Sequence, residues 1–199
     1  MAVCFFMFSC RLISLSDGYV EEDIERDDEL FCEEENGVTR FLVSEENYKN
    51  KGRGSTFWCV KNNNKRDSYE CYIQKQSGDK EAGYGIIFKV SEVEEKSYML
   101  VLMINMEGKW QIGKACDGEY RAKTEWQSSS NLNVGSSSNL VGIREEGKQF
   151  VIRFNDIEET RFTDSDEPSL TGEGTGFIAV ISPYEKFPEN PVEINYKMK

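Results

Sequence analysis

Apolar and polar positions alternate with a period of two over much of the chain, and turn residues interrupt the pattern about every 8–12 residues. Lys148–Phe154 sets Phe150, Ile152 and Phe154 on one face. Glu119–Trp126 sets Tyr120, Ala122, Thr124 and Trp126 against Glu119, Arg121, Lys123 and Glu125. Successive side chains of a strand point to opposite faces, so these segments predict half-buried strands. Three further runs, Tyr84–Val90, Ser97–Met106 and Gly176–Ser182, are apolar at nearly every position and predict strands covered on both sides. Gly37–Val43, Ser55–Lys61, Ser68–Lys75, Leu140–Arg144, Ile157–Thr163 and Val192–Lys197 complete the set, with a weak edge strand at Leu30–Cys32. About eleven or twelve short strands with no helical period and no internal repeat predict an all-β, antiparallel two-sheet sandwich.

Turn chemistry predicts several registers. Glu107-Gly108 suits a two-residue loop, and so does Asn155-Asp156, which would set Arg153 opposite Glu158. At Asp117-Gly118 a two-residue loop would oppose Ile112 to Lys123. A three-residue loop, Cys116-Asp117-Gly118, would oppose Ile112 to Ala122 and Trp110 to Thr124 and is the expected one. Cys59 and Cys71 are equidistant from the centre of the 62–67 loop. Direct pairing of their strands would place them opposite each other, and a disulfide between them is expected.

With 199 residues, 38% of them hydrophobic, the chain is long enough for one well-buried domain. A net charge of −12 works against nucleic-acid binding, since phosphate backbones would repel it. The absence of histidine removes Ser-His and Cys-His nucleophile pairs and His-containing metal sites. A two-carboxylate glycosidase mechanism survives that filter. No cofactor or metal site is expected. Residues 1–10 are apolar, are too short to span a bilayer and read as a signal-peptide remnant. Ser9-Cys10 resembles the end of a bacterial lipobox, so Cys10 is the expected lipid attachment point, the buried first strand being the alternative. The expected organisation is a signal remnant over 1–10, an acidic tether over 11–28 and a sandwich over 29–199. The setting is then the bacterial cell envelope, with membrane contact only through the lipid. The pairing of Cys32 and Cys116 stays open.

From Tyr84 onward the order of features resembles the concanavalin A-like jelly roll and its laminin G-like relatives. The residues that carry the resemblance are Gly83–Phe88, Tyr98–Leu100, Gly108–Lys114, Trp126, Asn139–Val141, Phe150–Asp156 and Thr171–Phe177. The resemblance implies a fold hosting lectin-like modules, adhesion domains and some glycosidases. The Glu-x-Asp-x-x-Glu strand motif of the glucanase relatives is missing: Glu21-Glu22-Asp23 is followed by Arg26 where the last Glu belongs. The leading expectation is a non-catalytic binding module for a glycan or a protein. Trp58, Trp110, Tyr120 and Trp126 would be its stacking platforms, unless those rings fill the core. The alternative is a carbohydrate-active hydrolase with two carboxylates on the concave sheet face, for which Glu70 and Glu125 are the strand acids to check.

Overall fold

The structure is a computed structural model that describes residues 10–13, 32–43, 55–61, 68–117, 119–182 and 192–199. These residues contain fifteen strands and no helix. One sheet holds β1 (Cys10–Ile13), β4 (Ser55–Lys61), β14 (Gly174–Ile181), β6 (Tyr84–Val93), β7 (Lys96–Ile104), β8 (Lys109–Cys116) and β10 (Gln127–Ser128) in that order, with β9 (Glu119–Ala122) also on β8. The other runs β13 (Ile157–Phe162), β12 (Gln149–Phe154), β11 (Asn139–Glu146), β5 (Ser68–Ser77), β15 (Val192–Met198), β3 (Val38–Val43) and β2 (Cys32–Glu35). We call them the first and second sheet. Every pairing is antiparallel, and the fold is a jelly-roll β-sandwich.

The two sheets face each other across one core. Tyr84, Ile86 and Phe88 of β6, Leu100, Leu102 and Ile104 of β7, and Phe177, Ala179 and Ile181 of β14 meet Phe41 and Val43 of β3, Cys71 and Ile73 of β5, Phe150, Ile152 and Phe154 of β12, and Ile194 and Tyr196 of β15. Tyr196 closes the middle, its ring stacked on Phe177 with centroids 4.4 Å apart and its hydroxyl donating to Ile178 O at 2.6 Å. A second apolar layer lies on the outer face of the first sheet, made by Ile87, Met99, Val101, Met103, Ala115 and Ile178. Strand β7 is therefore covered on both sides, as its unbroken apolar run predicts.

Two hairpin registers are the reverse of the expectation. Between β7 and β8, Ile104 faces Trp110, and the loop is the three residues Met106-Glu107-Gly108. Gly108 sits at φ +77°, and Asn105 Oδ1 accepts from the backbone N–H groups of Glu107 (3.1 Å) and Lys109 (3.0 Å). Between β8 and β9, Cys116 faces Glu119 and Gly113 faces Ala122, which leaves a two-residue loop at 117–118. Asp117 takes φ +46°, and its Oδ1 accepts from Ser97 N at 2.9 Å. The expected ladder set Ile112 against Ala122 to avoid opposing an apolar residue to Lys123. Gln111 is buried, so both faces of β8 are covered, and Tyr120 pairs with Ala115 on the outer one. The Asn155-Asp156 loop does hold two left-handed residues, with Arg153 opposite Glu158.

Strands β4 and β5 do not pair, which overturns the geometry behind a Cys59–Cys71 cross-strand bridge. β4 lies between β1 and β14 of the first sheet, and β5 lies between β11 and β15 of the second. Cys71 is a buried thiol whose Sγ–H is directed at Tyr72 O, 3.4 Å away. Cys116 is a half-buried thiol opposite Tyr98. The expected tether also starts too early, because residues 10–13 form an edge strand on β4. Residues 1–9 and 14–31 lie outside the described residues.

Candidate ligand face at Trp126 and Tyr120

The aromatic residues singled out in the sequence separate into distinct environments. Trp110 is 3% exposed and belongs to the core, where its ring lies 6.2 Å from that of Phe154. Its indole N–H donates to Glu159 Oε1 at 3.1 Å, and Glu159 Oε2 accepts from Ser129 Oγ (2.6 Å) and Asn131 Nδ2 (2.9 Å). Trp110 thus ties the edge of the first sheet to β13 of the second and is not a stacking platform. Its indole is large, and the one buried donor it carries finds a partner inside the fold. The side chain of Trp58 lies outside the described residues.

Tyr120 and Trp126 both lie on the outer face of the first sheet. Their placement depends on two glycines that leave room for rings against the backbone. A Cβ on Gly113 would fall 2.2–2.4 Å from Cε2, Cζ and Oη of Tyr120, so the phenol occupies the space a side chain would take. A Cβ on Gly83 would lie 3.2 Å from Cη2 of Trp126 and 3.0 Å from Sδ of Met103. Glycine inside a strand often marks such a close approach, and Gly113 within Trp110–Cys116 was the sequence signal for it.

Segment 123–126 is held in place by hydrogen bonds to β8. Ile112 O accepts from Lys123 N (2.8 Å) and Thr124 N (3.2 Å), and Ile112 N donates to Thr124 Oγ1 at 3.0 Å. Gln111 Nε2 donates to Thr124 O at 3.0 Å, and Gln111 Oε1 accepts from the Tyr120 hydroxyl at 3.0 Å. Burial pushes the Tyr120 phenol above its ordinary pKa, so it stays a neutral donor. Trp126 rests at the end of this anchored segment with 36% of its surface exposed.

The same edge is braced from the loop after β13. Lys114 Nζ donates to Asp164 Oδ2 (2.8 Å), Asp166 O (2.9 Å) and Pro168 O (2.9 Å), so all three ammonium protons are placed. Lys123 pairs with Asp166. Nothing in the sequence pattern marks Lys114 as buried.

The acids considered for hydrolysis do not converge. Glu70 is on the outer face of the second sheet, paired with Lys199 at 3.0 Å, and Glu125 is exposed between β9 and β10 of the first. Among the described residues no three His, Cys, Asp or Glu side chains gather as a metal site.

No family model matches the chain, and no curated protein does. Solved structures do share its fold. An endo-acting O-glycanase of the human gut microbiota, described as initiating mucin breakdown, superposes with a TM-score of 0.57 at 9% identity, over 95% of this chain and 89% of its own. A glycosyl hydrolase family protein from Mycobacterium fortuitum gives 0.51 at 11% identity, over 96% and 91%. An endo-β-galactosidase from Clostridium perfringens that releases GlcNAcα1-4Gal gives 0.52 at 10% identity, over 84% of this chain and 52% of its own. At these identities the likeness is one of fold: the chain is a jelly-roll β-sandwich of the architecture these enzymes contain.

Proposed function

We propose that the chain is a glycan-binding β-sandwich of the concanavalin A-like kind, with its ligand face at Trp126 and Tyr120. The observation that carries the proposal is the seating of Trp126. Its indole lies against Gly83 and Met103, while more than a third of the residue stays in solvent. A ring held on one side and open on the other suits the apolar face of a sugar. Gln111, Thr124 and the Tyr120 hydroxyl are hydrogen-bonded to one another where the segment that carries Trp126 meets β8. The fold neighbours named for glycan hydrolysis make carbohydrate the ligand class to test first. A two-carboxylate hydrolase needs acids about 5–10 Å apart on one face, and Glu70 and Glu125 stand on different sheets. The proposal includes an extracytoplasmic setting, supported by the apolar first ten residues.

The test is a glycan array with the full chain and with Trp126→Ala. Binding to at least one glycan class is expected, weakened about tenfold or more in the variant, as for an aromatic anchor residue. An array blank for the full chain would overturn the carbohydrate reading. Equal binding by the variant would move the site off this face.

A further inference from the structure

The edge of the first sheet carries a pair of cysteines that the ligand face does not use. β1 lies on β4 with the register Cys10↔Cys59, Arg11↔Trp58, Leu12↔Phe57 and Ile13↔Thr56. Two of the six cysteines of the chain therefore stand directly opposite each other across an antiparallel pair. Residues so opposed share a face of the sheet, and their Cα atoms are about 4.5–5.5 Å apart. A disulfide needs Cα atoms about 4.4–6.8 Å apart. No other cysteine of the described residues has a cysteine as its cross-strand neighbour. Cys71 faces Val141 and Met198, Cys116 faces Tyr98 and Glu119, and Cys32 faces Phe41.

We propose that Cys10 and Cys59 form a cross-strand disulfide when the chain meets an oxidant of the glutathione-disulfide class. The thiolate of one cysteine attacks the oxidant's S–S bond and releases one glutathione thiol. The second cysteine then attacks the mixed disulfide and releases the other. One S–S bond forms and one breaks, and the two protons and two electrons lost by the cysteine pair end on two glutathione thiols. The bond clasps the four-residue edge strand to the sheet and closes residues 11–58 into a loop. A sulfur so bonded is not available for a thioether, so the disulfide takes the place of the lipid expected on Cys10. The proposal is independent of the glycan reading.

The full chain is incubated with oxidised glutathione, blocked with iodoacetamide, digested without reduction and analysed by mass spectrometry. A linked peptide pair containing Cys10 and Cys59 is expected, lighter than its two reduced components by two hydrogens and separated by dithiothreitol. Oxidation should also raise the thermal midpoint of the native chain and leave that of Cys10→Ser unchanged. The strand signature in circular dichroism checks that the variant is folded. Cys59 linked to another cysteine, alkylation of both Cys10 and Cys59, or a lipid mass on Cys10 would each overturn the proposal.

Discussion

The outer faces of the two sheets differ in chemistry. On the second sheet many outward positions are polar or charged, with Tyr72 and Val151 among the apolar ones. Arg40 pairs with Glu193 at 3.0 Å, Glu70 pairs with Lys199 at 3.0 Å, and Gln74 Nε2 donates to Ser136 O at 2.9 Å. This is the half-solvated antiparallel sheet that alternation describes. On the first sheet the outward positions include a buried apolar layer of Ile87, Met99, Val101, Met103, Ala115 and Ile178, none more than 5% exposed. A sheet buried on both faces has little polar surface of its own to offer. The ligand face proposed above therefore lies at the rim, where Tyr120 and Trp126 sit on glycines.

The sharpest way to break this contrast is to place a new carboxylate at one position on each face. Val101 is fully buried on β7. Val101→Asp places a carboxylate in an apolar layer and is expected to cost about 3–5 kcal/mol, read from urea unfolding midpoints. Lys197→Asp, on the exposed face of β15, should stay within about 0.5 kcal/mol. Costs of similar size for the two would show that the outer face of the first sheet is open to water.

The same contrast explains what was legible in the sequence. Strands of the second sheet such as β3 and β5 alternate buried and open positions, so Phe41, Val43, Cys71 and Ile73 could be assigned to one face from pattern alone. The hairpin 149–162 was readable for the same reason, down to Arg153 opposite Glu158. In β8 the burial pattern runs almost without a break from Trp110 to Ala115, and period two carries no register information where both faces are covered. There the preference for setting Ile112 against Ala122 points to a loop one residue longer than the one at Asp117. The pairing of β4 with β14 joins segments far apart in the chain, and no local signal announces it. At the site, Trp126 was identifiable as a ring, but its exposure depends on Gly83 and Met103, which only the fold brings to it.

Two glycines sharpen the comparison at smaller cost. Gly113→Ala would drive a methyl into the Tyr120 ring, and a destabilisation of about 1–3 kcal/mol is expected. Gly113→Ala combined with Tyr120→Ala should recover part of it, a coupling of about 1 kcal/mol in a double-mutant cycle. Gly142 is the control on the second sheet, where the nearest atoms to a new Cβ are 3.6 Å away. Gly142→Ala is expected to be neutral or to stabilise by up to about 1 kcal/mol, since alanine loses less backbone entropy on folding. A neutral Gly113→Ala would mean that Tyr120 does not lie over β8.

The smallest effects come from two tyrosines on opposite faces of the first sheet. Tyr84 points into the inner core, fully buried, and its hydroxyl has no hydrogen-bond partner among the described residues. Burial pushes its phenol up to about 12. Tyr120 lies on the outer face, and its hydroxyl donates to Gln111. At neutral pH, Tyr84→Phe removes an unmatched polar atom and should leave stability unchanged or raise it by about 1 kcal/mol. Tyr120→Phe strands the Gln111 carbonyl and should lower stability by about 1 kcal/mol. At alkaline pH the two variants behave alike. An unfolded tyrosine ionises near pH 10, so between that value and about 12 the folded chain keeps a proton on Tyr84 that the unfolded chain has released. The stability this contributes is complete below about pH 10 and is lost as pH rises toward the folded value. Phenylalanine has no such proton, so each variant should show a flatter alkaline limb than the parent in urea midpoints taken from pH 7 to 11. Equal destabilisation by both variants at pH 7 would show that the Tyr84 hydroxyl is hydrogen-bonded after all, and that the inner face of the sheet is as polar as its rim.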